Sequence, residues 1–372
     1  MTTKEKTSPT QLMEINLGPQ HPATHGVFRM VLTLDGERVI KAVPHIGYLH
    51  RGIEKLAENL EYFQITPLLD RLDYVANLNN ELSYVMAVEK LAGIKVPERA
   101  EYIRVIMAEF NRIMSHFVWF GPFTNDIGLF GTGFLYAMRD REYIQRLFEK
   151  VTGGRMHYNY LVPGGLRADL PDGWIEEANA LLDRIPEMIA EYEYLIEDNE
   201  IFRLRTKGIG RLSPEVALRY GVTGPVLRAS GIAADLRKDE PYSVYDKLDF
   251  NVITAEDGDN FARYKVRMEE IKESVKIIRQ ALEKLPAGAI IGKTQRHINP
   301  PAGEVYARTE HPKGEFGVFM TSDGGEKPYR IKFRSPSYCN LMGAVTTLPG
   351  LVLADLISTM ASVDIVMGCI DR

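Results

Sequence analysis

Apolar and polar residues alternate from Leu12 to Leu17, from Val27 to Leu34 and from Arg38 to Val43, the period of half-buried strands. Asp35-Gly36 stands between the last two runs as a hairpin turn, so the N-terminal part is expected to be a small antiparallel sheet. From about Leu49 the period lengthens to that of a helix. Its strongest stretch is Ile103, Ile106, Met107, Phe110, Ile113, Met114 and Phe117, spaced by three and four, with Pro97 marking the start and Gly121-Pro122 the end. Further helices are predicted over about 68–92, 130–151, 173–197 and 259–284, the last with Ile271, Val275, Ile278 and Leu282 on one side. Gly and Pro then crowd Leu285 to Gly303, before strands at Val305 to Ala307, Phe316 to Thr321 and Tyr329 to Phe333, with Asp323-Gly324-Gly325 as a turn. A helix from Leu351 to Ser362 closes the chain. The pattern predicts a mainly helical α+β fold in one domain over 11–372: a β-region at 11–48, a helical core at 49–284, a linker at 285–303 and a β/α region at 304–372. Residues 1–10 are polar and read as a disordered tail.

Composition narrows the partners. Of the 372 residues 45% are hydrophobic, enough for a sizeable core, and the net charge of −5 argues against nucleic acid as the main partner. Cys339 and Cys369 are the only cysteines and lie far from the usual disulfide-dense pattern, which suits a reducing compartment. No basic–apolar leader opens the chain, and no run approaches the roughly 18 apolar residues of a spanning helix, so membrane contact is expected through partners. Gly164-Gly165 and Gly208-x-Gly210 lack the full Gly-x-Gly-x-x-Gly of a dinucleotide loop.

Several residues are candidates for chemistry, each with an ordinary alternative. His21 and His25 have metal-ligand spacing if helical, but Gly18-Pro19, Pro22 and Gly26 favour a loop whose histidines make ordinary hydrogen bonds. Asp70, Asp73, Tyr74 and Asn77 share one face if 68–92 is a continuous helix, and such a face is also what a solvated stripe looks like. Asp126 reads as a turn residue or cap, Arg51 as a surface charge, Arg71 as a salt-bridge partner and His157 as a buried histidine bonded to backbone. His116 continues Glu109 and Arg112 along the polar face of the strongest helix and reads as structural.

Longer motifs change these readings. Gly18-Pro19-Gln20-His21-Pro22-Ala23-Thr24-His25-Gly26, Pro44 to Gly52, Arg155 to Tyr160, Leu227 to Gly231 and the terminal Asp371-Arg372 stand in this order along the chain. Together they make residues 11 to 372 resemble the 49-kDa-type (D-type) subunit family of respiratory complex I, the NADH:quinone oxidoreductase, within the superfamily of nickel–iron hydrogenase large subunits. A hydrogenase holds its metals with two Cys-x-x-Cys pairs, because soft thiolates suit soft redox metals. The corresponding positions here are Asp73, Ala76, Val366 and Cys369, one possible ligand out of four. The nickel–iron alternative is therefore disfavoured, and no metal or cluster is expected on this chain. Cys369 also departs from the family, in which many relatives carry an acidic residue there.

The resemblance implies a peripheral-arm subunit at the cytoplasmic side of the inner membrane, passing electrons from the terminal [4Fe–4S] cluster of a neighbouring subunit to quinone, with proton translocation by the whole complex. Implied partners are the cluster-bearing B-type subunit, the C- and I-type subunits and the H-type membrane-arm subunit, with no nucleic acid. It assigns His25 and Tyr74 to the quinone headgroup, Asp126 to the carboxylate behind His25, and Arg51, Arg71 and His157 to the surroundings of the partner's cluster. A non-catalytic scaffold would have lost His25, Tyr74 and Asp126, and all three are present. The donor (NADH, reduced ferredoxin or a deazaflavin) and the quinone type are left open, because other chains read the donor and quinones share their carbonyl oxygens.

Overall fold

The computed structural model describes residues 12–21, 26–129, 131–294 and 297–372. Strands β1 (Met13–Leu17), β2 (Arg29–Asp35) and β3 (Arg38–His45) form an antiparallel sheet in that order. Along β2 the side chains of Met30, Leu32 and Leu34 are buried while their neighbours are half-exposed, the period-two pattern the sequence announces. The helical part runs through α1 (Ile53–Ala57), α2 (Tyr62–Leu69), α3 (Asn77–Ala92), α4 (Glu98–Ile127) and α5 (Thr132–Thr152). After the small hairpin of β4 (Leu161–Val162) and β5 (Gly165–Leu166) come α6 (Trp174–Tyr192), extended by a π-turn, and the short α7 (Glu200–Thr206), α8 (Pro214–Arg219), α9 (Pro225–Arg228) and α10 (Leu236–Asp239). Helix α11 (Asn260–Glu283) follows, capped by the Asp259 carboxylate on the N–H of Ala262 at 2.8 Å. Strands β6 (Gly303–His311), β7 (Gly314–Ser322) and β8 (Arg330–Arg334) build a second antiparallel sheet, and α12 (Pro336–Val345), α13 (Leu353–Val363) and α14 (Met367–Asp371) end the chain.

Helix α4 lies at the centre, packed by α3, α5, α11 and α13. The main core joins these helices to the inner face of the second sheet through Val305, Phe316, Val318, Met320, Ile331 and Phe333. A second core seats the first sheet on α12, α13 and α14 through Met30, Leu32, Leu341, Leu356, Met360 and Met367. The N–H of Val39 donates to Leu351 O at 2.8 Å, tying the first sheet to the end of the chain.

Several elements depart from the sequence reading. The helix expected to close the chain, α13, is preceded by an unexpected α12 and followed by α14. Helix α4 does not stop at Gly121-Pro122 but continues to Ile127, where Gly128 (φ 104°) caps it. Proline forfeits one helical hydrogen bond. Packing of Phe120 on Tyr192 (4.8 Å) and of Phe123 on Phe202 (6.0 Å) carries the helix through, because helix stability comes mainly from tertiary contact. The polar face of α4 is structural, as read for His116: Glu109, Arg112 and His116 are fully buried in an ion network shared with α9, α10, α11 and β6. There Arg112 and Arg237 reach Glu109 at 3.2 and 3.1 Å, while Arg228 reaches Glu270 at 2.8 Å and Glu310 at 2.7 Å. Burial alone would raise the Glu109 carboxyl, yet the two guanidinium groups hold it down to about 2. His116, 3.2 Å from Glu270, is pushed down to about 4 by burial and is neutral.

The departure at 68–92 matters most for the site. The predicted helix over 68–92 is two helices, α2 and α3, with residues 70–76 as a turn between them. The Asn80 carboxamide donates to Leu69 O at 2.9 Å and Asp73 O at 3.0 Å, and the Asn111 carboxamide donates to Val75 O at 3.1 Å. Buried amides thus take the carbonyls a broken helix leaves over. Asp70, Asp73 and Tyr74 consequently do not share one helix face.

Candidate functional site

Four segments converge at one end of the helical core. In the loop after β3, the N–H groups of Gly47 and Leu49 each donate to the Asp371 carboxylate at 2.8 Å, and the His50 ring meets Asp371 O at 2.7 Å. The Arg51 guanidinium donates to Arg71 O, and that of Arg71 donates to Pro67 O. Gly368 of α14 lies so close to the turn that a Cβ there would stand 2.7 Å from Leu72 O. Only glycine fits such an approach. Asn77 donates to Met156 O, and the N–H of Asn159 donates to Asp70 Oδ2 at 3.0 Å, which brings the 154–161 segment onto the same turn.

His157, half-buried, therefore stands beside Arg71 and Arg51. Its imidazole is held below the ordinary histidine value, first by burial and next by the Arg71 charge, with Asp70 opposing. Tyr74 is 36% exposed, and Ile46, Tyr48 and Met156 on the converging segments are exposed as well. Its phenol is raised above the usual value by partial burial and then by Asp73, so it stays protonated across the physiological range. Asp73 points inward instead. The buried Lys313 ammonium sits 3.2 Å from Asp73 Oδ2 and 3.5 Å from Asp364 Oδ2, and donates to Ser115 Oγ at 3.0 Å. Burial disfavours that charge, but Asp364 and Asp73 outweigh it and keep the lysine protonated.

This ammonium lies beside Asp73 and near Cys369, two of the positions where the resemblance to hydrogenases would put thiolates. Cys369 is buried with Sγ 2.9 Å from Ser335 Oγ, and burial followed by the Asp73 charge pushes its thiol up to about 12. A protonated thiol, a lysine ammonium and apolar Ala76 and Val366 are the opposite of a soft-metal ligand set. Among the described residues one trio of possible ligands comes together elsewhere, Glu61, His297 and Glu326, on the surface.

The family model described as the respiratory-chain NADH dehydrogenase 49-kDa subunit matches residues 126–300 and 293–372. Curated relatives match nearly end to end. A protein of Dehalococcoides mccartyi that bears the name of the D-type subunit of NADH-quinone oxidoreductase is 51% identical over 98% of this chain and 99% of its own length. Proteins of the same name from Geobacillus thermodenitrificans and Desulforamulus reducens are 49% and 50% identical, each over 97% of this chain and 99% of their own. The chain belongs to the 49-kDa subunit family.

It is thus a subunit of an oxidoreductase complex. Of the residues singled out in the sequence, Arg51, Arg71 and His157 are brought together, and Tyr74 lies three residues along the same turn from Arg71. Asp126 lies half-buried in the last turn of α4, engaged with its surroundings. His25 falls outside the described residues, as does the predicted tail at 1–10, while His21 is described and exposed. Sequence reasoning missed the second roles. The family motif at Leu227 to Gly231 carries Arg228, the hub of the buried ion network, and Asp371 of the terminal pair anchors the 47–49 loop. A buried charge looks the same in a sequence as a surface one, so neither role had a local signal. Among the described residues no helix is long and apolar enough to cross a membrane.

Proposed function

We propose that this chain is the quinone-site subunit of a complex I-type oxidoreductase, taking electrons from the terminal [4Fe–4S] cluster of a neighbouring subunit and delivering them to quinone. The observation that carries this is Tyr74, a neutral, partly exposed phenol three residues along the turn from Arg71, whose guanidinium stands with that of Arg51 beside the half-buried His157. Quinone reduction takes up two protons, so donors at the developing oxyanions are what the reaction needs. Tyr74 would donate to one carbonyl; His25, with Asp126 orienting its ring, would be the readier acid, since imidazole is reprotonated near neutral pH. Arg51, Arg71 and His157 would face the partner's cluster, where positive charge raises a reduction potential.

Exposed Ile46, Tyr48, Tyr74 and Met156 leave apolar surface open on this wall, which suits cover by the cluster-bearing B-type subunit. C- and I-type subunits and the H-type membrane-arm subunit would complete the surroundings, holding the chain peripherally at the cytoplasmic face of the membrane. Proton translocation would belong to the whole complex. Residues 11–372 would act as one folding unit, supported by the contact of β3 with residues 350–351.

The test is Tyr74→Phe in the assembled complex, which keeps the ring and removes the donor. Quinone reduction should fall by about 10²- to 10³-fold, the usual cost of one oxyanion donor, less if the headgroup shifts to another partner. His25→Ala and Asp126→Asn should also impair it. Electron input to an artificial acceptor upstream should be untouched in all three; wild-type quinone reduction in Tyr74→Phe and His25→Ala would overturn the assignment.

A further inference from the structure

Behind His157 two carboxyl groups are buried against each other with almost nothing to neutralise them. Asp70 closes α2 and Glu81 lies in α3; both are inaccessible to water. Each is aimed at the same stretch of backbone. Asp70 Oδ2 accepts the N–H of Asn159 at 3.0 Å, and Glu81 Oε2 accepts those of Tyr160 at 2.9 Å and Leu161 at 2.7 Å. Asn159 adopts a left-handed backbone (φ 43°), which turns three successive N–H groups toward the carboxyls, the arrangement that cradles an anion. The remaining oxygens, Asp70 Oδ1 and Glu81 Oε1, are buried without a hydrogen-bond partner, and the two carboxyls, bound to consecutive N–H groups, are close enough to shift each other's titration.

Two ionised carboxylates cannot share such a space cheaply, and an orphaned buried oxygen carries its own desolvation cost. One proton between them satisfies both orphans and leaves a single negative charge facing three N–H donors. We propose that Asp70 and Glu81 share one proton at neutral pH and, as a pair, position His157 and set the pH at which it titrates. The groups facing the pair are Arg71 and His157 on the Asp70 side, with Arg51 beyond them, and the hydroxyls of Tyr158 and Tyr160, whose pKa values the pair's charge helps to raise. Burial, the largest influence, moves both carboxyls above the ordinary range, in keeping with a retained proton. Because the pair titrates as a unit, the proton belongs to neither residue alone.

The second half of this inference rests on the reading that His157 tunes the partner's cluster; the first half does not. Both can be measured on the assembled complex. A wild-type minus Glu81→Gln infrared difference spectrum at pH 7 should contain one C=O stretch of a protonated carboxyl that shifts in heavy water. Asp70→Asn should remove the same band, which covers the case of one variant failing to assemble. A difference spectrum with no such band overturns the shared proton. The two isosteric substitutions should then act oppositely on the pH range over which the cluster's midpoint potential varies. Glu81→Gln fixes the charge on Asp70, beside the imidazole, and should move that range to higher pH. Asp70→Asn fixes it on Glu81, farther away, and should move the range to lower pH. Shifts in the same direction overturn the positioning role. A potential independent of pH in the wild type rejects the His157 reading instead, while the infrared band still decides the pair.

Discussion

His157 shows how one side chain's setting becomes a functional expectation. A free imidazole is half-protonated near pH 6.5, but burial and Arg71 depress it here, so it is neutral at pH 7. Reducing a cluster nearby adds a negative charge, which favours the imidazolium and raises its pKa. Between the pKa values of the two redox states, reduction then binds a proton, and the cluster's potential falls as pH rises. His157→Met should flatten that dependence while quinone reduction continues, because the effect tunes a potential and does not build a path. A redox titration of the assembled variant checks this, and an unchanged slope removes His157 from the role. From the sequence, His157 was legible only through its family motif; its depressed basicity comes from Arg71, 86 positions earlier in the chain, and no local pattern carries that.

At the scale of elements, the strands and the long helices α4, α5, α6 and α11 are legible because the apolar residues of each recur with its own period. The break at 70–76 is not. Leu68, Leu72, Val75, Leu78 and Leu82 keep helical spacing straight through the turn, and the groups that offset the break are amides at Asn80 and Asn111. That turn is what aims Asp70, Asp73 and Tyr74 in three directions. Asn80→Ala leaves the carbonyls of Leu69 and Asp73 without their donor, at a cost of about 1–3 kcal/mol for stranded buried groups. The variant should lower the thermal stability of the assembled complex and, by loosening Tyr74, weaken quinone reduction more than reduction of an artificial acceptor. Equal loss of both activities would detach the turn from the quinone site.

Across the whole molecule, charge is organised inside as much as outside. The buried Lys313 stands between Asp73 and Asp364, and a larger network built on Arg228 joins α4, α9, α11 and β6. Sequence composition counts these residues as part of an ordinary 26% charged content. Removing one member leaves the rest uncompensated: Arg228→Met strands Glu270 and Glu310 in the core. The expected penalty is about 3–5 kcal/mol, enough to abolish most of the assembled complex. Near-normal assembly, judged by copurification of the partner subunits, would mean that the network tolerates the loss by protonating its carboxylates.

Everything functional turns on whether a quinone headgroup binds at the turn carrying Tyr74. The most direct measurement is photo-crosslinking of the assembled complex with a quinone whose headgroup bears a photoreactive substituent, followed by peptide mapping. Adducts are expected on this chain within residues 71–77 and the 18–26 loop, suppressed by excess unmodified quinone and weakened in Tyr74→Phe. Competable labelling confined to other subunits, or to parts of this chain remote from Tyr74, would contradict binding there.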